Sequence, residues 1–115
     1  MKILIIDDDA MMQRMAAFML KKKGCEAVTA GSGIEGLTMM RAVHPDLTII
    51  DVEMPEMDGF SVVRAIRADA SLQDAKVCMM TGTLTDEVRG LAESLGCCGS
   101  LVKPLKAEDL DQILG

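Results

Sequence analysis

The sequence predicts an α/β protein, a five-stranded parallel sheet with helices packed on both faces. Three observations carry this prediction. Five short apolar runs alternate with amphipathic stretches. The runs are continuously apolar rather than alternating, as befits strands buried on both faces. The stretches between them carry helical spacing and capping residues. Repetition of strand and helix five times implies parallel pairing through right-handed crossovers.

The first run, Ile3–Ile6, leads into Asp7-Asp8-Asp9. Asp9 is placed to cap the first helix. In that helix Met12, Met15 and Met19 fall at i, i+3 and i+7, and Lys21-Lys22-Lys23 and Gly24 mark its end. Ala27–Ala30 is the second run, and Ser32-Gly33-Ile34-Glu35 opens the next helix as a capping box. His44 is an exposed loop residue before Pro45. The third run, Leu47–Ile50, ends at Asp51. Pro55 shapes the loop that follows, and Asp58-Gly59 turns the chain into a helix carrying Phe60, Val63 and Ile66. Val77–Met80 is followed by Thr81, then by a helix with Val88, Leu91, Ala92 and Leu95, closed by Gly96. Leu101–Val102 is followed by Lys103 and Pro104. A last short helix with Leu110, Ile113 and Leu114 ends at Gly115.

A chain of 115 residues is the size of one compact domain, spanning 1–115. It is half hydrophobic and 26% charged, which excludes disorder. No apolar run approaches the ~20 residues needed to cross a bilayer, so a cytoplasmic location off the membrane is expected. A net charge of −6 opposes direct binding to nucleic acid. The four cysteines lack C-x-x-C spacing and have one histidine to join them, which argues against zinc. Their thiols are expected to be reduced, with Cys97-Cys98 serving packing. Eleven methionines suit a core of flexible side chains.

Chemistry enters with the residues that follow the strands. In open parallel sheets, sites form outside the carboxyl ends of the strands. There Asp7, Asp8, Asp51, Thr81 and Lys103 converge on one rim. Two carboxylates ~4 Å apart repel by about 4 kcal/mol at an effective dielectric of ~20. Such a cluster calls for a hard divalent cation, Mg²⁺ first and Mn²⁺ as its substitute. Lys103 would neutralise a phosphoryl oxygen and Thr81 would donate to another. A carboxylate can itself take a phosphoryl group as a nucleophile.

These residues, with their neighbours, resemble the receiver domains of response regulators in two-component signalling, the chemotaxis regulators among them. The matching segments are Ile5-Ile6-Asp7-Asp8-Asp9, Pro45 through Gly59, Met80-Thr81-Gly82 and Leu101-Val102-Lys103-Pro104. The resemblance implies a doubly wound, flavodoxin-like three-layer sandwich with strand order 2-1-3-4-5. It implies that Asp51 is phosphorylated from the phosphohistidine of a histidine kinase or histidine phosphotransfer protein. Asp8, Asp51 and the backbone carbonyl of Glu53 would then bind Mg²⁺, with Asp7 assisting through water. The Lys103–Pro104 bond would be cis. The only catalysis implied is of its own phosphorylation and dephosphorylation, with output to a downstream protein target or effector domain. The face of the fourth helix, fifth strand and fifth helix would make that contact. Two positions depart from the pattern. Ser100 stands where a switch aromatic is usual, and Gly82 where alanine is commoner, which unsettles the usual coupling to Thr81.

Three other readings meet obstacles in the sequence. A receiver that had lost phosphorylation would not keep Asp7, Asp8, Asp51, Thr81 and Lys103 together. A flavin carrier needs a hydroxyl-rich phosphate loop where Asp7-Asp8-Asp9 stands. A P-loop enzyme needs G-x-x-x-x-G-K, and a dehalogenase-type phosphatase needs a second Asp where Glu53 follows Asp51-Val52.

Overall fold

The computed structural model describes residues 1–114; the helix end expected at Gly115 lies outside them. The elements are β1 (Lys2–Ile6), α1 (Ala10–Lys22), β2 (Glu26–Ala30), α2 (Gly33–Val43), β3 (Leu47–Asp51), α3 (Gly59–Ala68), β4 (Val77–Thr81), α4 (Asp86–Ser94), β5 (Gly99–Val102) and α5 (Ala107–Leu114). The strands pair in parallel in the order β2-β1-β3-β4-β5. Each apolar run is a strand, extended by one or two residues.

Two core layers flank the sheet. Leu4, Ile6, Ile50 and Met79 pack with α2, α3 and α4 residues on one face; Ile3, Ile5, Ile49 and Met80 pack with Ala16, Leu20 and Leu110 on the other. Ile3, Leu4, Ile5 and Ile6 are wholly buried, each contributing roughly 1.5–3 kcal/mol of transfer free energy. This two-sided burial is why Ile3–Ile6 of β1 reads as an unbroken apolar run and Leu47–Ile50 of β3 as one interrupted only by Thr48.

The capping residues behave as their chemistry dictates. Asp9 accepts from the N–H groups of Met11 and Met12, Ser32 from Glu35, Asp58 from Ser61 and Thr85 from Val88. The methionine stripe expected for α1 is rotated. Met15 is 43% exposed, and the buried residues are Ala16 and Leu20. One residue is about 100° of helix rotation, and the small Ala16 side chain lets α1 lie close to the sheet.

Gly59 opens α3 against the end of β3. A Cβ there would stand 2.4 Å from the Asp51 carbonyl oxygen and 2.9 Å from Val52 Cα. Arg67, near the end of α3, donates Nε to Leu95 O (3.0 Å), Nη1 to Gln73 O (2.8 Å) and Ala75 O (2.7 Å), and Nη2 to Gly96 O (3.1 Å). It thereby ties the end of α4 and the α3–β4 connection to α3. The Lys103–Pro104 bond is cis.

Candidate functional site

Four strand ends bring the expected residues together. Asp7 follows β1 and is fully buried; Asp51 ends β3 and Thr81 ends β4, both 1% exposed. Lys103 follows β5, its backbone N–H donating to Thr81 O at 2.8 Å. Asp8 is exposed. One carboxylate oxygen from each of Asp7, Asp8 and Asp51 lies within 4.8 Å of the others.

Lys103 Nζ sits between two of these acids, 3.2 Å from Asp7 Oδ2 and 3.0 Å from Asp51 Oδ2. The remaining oxygens find backbone donors. Asp7 Oδ1 accepts from Asp9 N–H at 3.0 Å, and Asp51 Oδ1 from Glu53 N–H at 3.3 Å. Asp7 Oδ2 is buried without a hydrogen bond and has only the ionic contact with Lys103.

These contacts set the charge states. Burial pushes the Asp51 carboxyl up to about 6, with the Asp7 charge adding to the effect and Lys103 opposing it. For Lys103, burial acts against the charge, but Asp51 and Asp7 outweigh it and hold the ammonium above its ordinary range. For Glu53, burial again opposes ionisation, while hydrogen bonds from the Thr81 hydroxyl and the Gly82 N–H hold its carboxyl below the usual value.

A stability prediction follows from Asp51. Its folded value, raised from 3.8, means its stabilising contribution is complete below about pH 4 and is lost as pH rises through about 6. Asp51→Ala should therefore gain about 1–3 kcal/mol on metal-free wild type between pH ~4 and ~7. Urea unfolding followed by circular dichroism measures this, since the chain has no Trp or Tyr. An equal or widening deficit for Asp51→Ala over that interval would show that the acidic cluster carries no strain.

The donor set suits a hard divalent ion. It consists of carboxylate oxygens alone; Asp8 is open to water, and Asp7 Oδ2 is a buried acceptor lacking a hydrogen-bond donor. Thr81 stands at this rim with its hydroxyl already engaged. Thr81 Oγ1, expected to face a phosphoryl oxygen, donates to Glu53 Oε1 and accepts from Thr83 N–H at 3.2 Å. Glu53 lies two residues beyond Asp51, close enough for its side chain to reach the end of β4. Ser100 is half-buried on β5, its Cα paired with Met79 rather than Thr81, and it stands outside the acidic cluster.

Sequence reasoning missed Gln13, whose Nε2 donates to Asp7 O (2.6 Å) and Ala30 O (3.3 Å), fastening the acidic loop to α1. Its signal was a polar residue one turn after the Asp9 cap, on the side of α1 that meets the strand ends. Gly59 was read as turn chemistry alone, and the hydrogen bond from Thr81 to the Glu53 carboxylate was not foreseen.

The description "response regulator receiver domain" matches residues 3–115. Among curated relatives, the probable transcriptional regulator ycf27 of Cyanophora paradoxa is 36% identical over 112 residues, covering 96% of this chain and 45% of that protein. The DNA-binding response regulator MtrA of Mycobacterium tuberculosis is 34% identical over 109 residues, covering 95% and 46%. The chain thus spans less than half the length of these relatives. Among solved structures, the chemotaxis protein CheY4 of Vibrio cholerae superimposes with a TM-score of 0.90 at 33% identity, covering 98% of this chain and 94% of that one.

Proposed function

Because this chain belongs to the response regulator receiver domains of two-component signalling, we propose that Asp51 accepts a phosphoryl group from the phosphohistidine of a kinase or phosphotransfer protein. The observation that carries this reading is Lys103 Nζ lying 3.0 Å from a buried Asp51 whose carboxyl is pushed up to about 6. At neutral pH that carboxylate is still ionised, and poor solvation makes it a better nucleophile. One Asp51 oxygen attacks phosphorus as the bond to the donor nitrogen breaks, and the imidazole leaves with the electron pair. Lys103 follows the transferred charge, and the Thr81 hydroxyl donates to a phosphoryl oxygen.

Asp8, Asp51 and the Glu53 carbonyl would hold Mg²⁺, with Asp7 reaching it through water. Bound there, the ion supplies the positive charge that lets carboxylates and phosphate share one rim. The domain would act on no substrate but its own phosphoryl group. No helix among the described residues is long and apolar enough to cross a membrane. The DNA binding in the name of MtrA belongs to that longer protein. In this chain, with its charge of −6, phosphorylation would act through a protein-facing surface built by α4, β5 and α5.

The test is incubation with acetyl phosphate and Mg²⁺, read by intact mass, with one phosphate gained per chain as the expected result. Mg²⁺ should also stabilise the unphosphorylated protein in proportion to the logarithm of its concentration. That increment should fall by more than half in Asp8→Asn, as measured by urea unfolding. An undiminished increment would put the ion elsewhere.

A further inference from the structure

We propose that the Glu53 carboxylate is an internal competitor for the phosphoryl site, occupying the donors that a phosphoryl group on Asp51 must recruit. The inference rests on Asp51 being the phosphoacceptor and adds a residue that governs how readily it is loaded.

Four contacts place Glu53. Its backbone N–H donates to Asp51 Oδ1 at 3.3 Å. Its Oε1 accepts from Thr81 Oγ1 at 2.5 Å. Its carboxylate also faces the Gly82 N–H and the Asp51 side chain. An anion at this spot, next to Asp51 and held by the β4-end hydroxyl and the following amide, takes the place that phosphoryl oxygens would fill once attached to Asp51. Thr81 has one hydroxyl proton to donate, so Glu53 and a phosphoryl oxygen compete for it. Their like charges also repel at this range. Lys103 contacts Asp7 and Asp51 rather than Glu53, so the Lys103 cation does not hold the competitor in place. Glu53 is exposed as a residue, which gives its side chain a way out into solvent without disturbing the core.

Phosphorylation then has two linked parts. Asp51 gains the phosphoryl group, and Glu53 releases Thr81 and swings outward. Glu53→Gln keeps the shape of the side chain while removing the charge, and Glu53→Ala removes the competitor altogether. Both should load from acetyl phosphate faster than wild type at equal Mg²⁺. Loss of one charge-assisted hydrogen bond gives about a tenfold higher initial rate for Glu53→Ala, with Glu53→Gln between the two.

A second readout involves neither metal nor donor. In metal-free protein, the amide resonances of Gly82 and Thr83 should move on Glu53→Gln, as their hydrogen-bond network is rebuilt. Faster loading together with moved amides supports the proposal. Loading rates within twofold of wild type, or amides that stay in place, overturn it. If wild type and both variants take up no phosphate while the amides move, the phosphoacceptor reading falls but the Glu53–Thr81 contact stands, so the two failures are separable.

Discussion

Asp51→Asn is expected to abolish phosphate uptake while leaving the fold intact. The amide has nearly the shape of the carboxylate, so the packing around the end of β3 is kept. Its oxygen can still accept from Glu53 N–H, as Asp51 Oδ1 does at 3.3 Å. The anionic oxygen that attacks phosphorus is gone, and so is one partner of Lys103. Asp7 and Asp8 remain, but neither ends a strand beside Thr81, whereas Asp51 on β3 is paired with Met80 on β4. Intact mass after incubation with acetyl phosphate and Mg²⁺ should show no gain, with circular dichroism unchanged. Phosphate appearing at the wild-type rate would assign the nucleophile to another residue.

Gly59→Ala is expected to cost about 2–4 kcal/mol and to slow phosphorylation, although it replaces the poorest helix former short of proline by the best. The new methyl group would lie 2.4 Å from the Asp51 carbonyl and 2.9 Å from Val52 Cα, both backbone atoms with no rotamer to yield. Relief requires α3 to retreat or the Asp51-Val52 peptide to tilt, and the second route moves the nucleophile itself. Gly82→Ala is the control. It lies beside Thr81, and a Cβ there meets nothing within 4 Å, so its stability should change by less than about 0.5 kcal/mol. Urea midpoints for the two variants decide the matter. Comparable midpoints would mean that the α3–β3 contact is soft.

The strands were legible because burial on both faces leaves a mostly apolar signature, unbroken in Ile3–Ile6 and interrupted only by Thr48 in Leu47–Ile50. Their ends were legible because a polar residue breaks that run where the strand reaches the edge of the sheet, and the rim follows from the parallel topology. Asp7, Asp8, Asp51 and Lys103 could be grouped on that basis before any distance was known. Met15 was misread because helical periodicity fixes a stripe's spacing but leaves its rotation free, and Ala16 carries too little hydrophobicity to announce the buried side. The Glu53–Thr81 contact was illegible for a different reason. A side chain two residues beyond a strand end leaves through a loop, and no periodicity predicts where it lands. The clash space at Gly59 depends on the approach of α3 to β3, a distance absent from any one-dimensional pattern.

The four carbonyls gripped by Arg67 have a mechanical meaning. Two of them, on Leu95 and Gly96, follow the last turn of α4, so this helix is clamped at its far end. At its near end Thr85 caps the first turn, four residues beyond Thr81. A rod fixed at one end keeps rotation as its freedom. The nine residues of α4 make it about 13 Å long, so a tilt of ~10° about the clamp carries its first turn ~2 Å. Arg67 would thus serve as the fulcrum of such a tilt, so that a small shift beside Thr81 would change the slope of α4 on the outer surface.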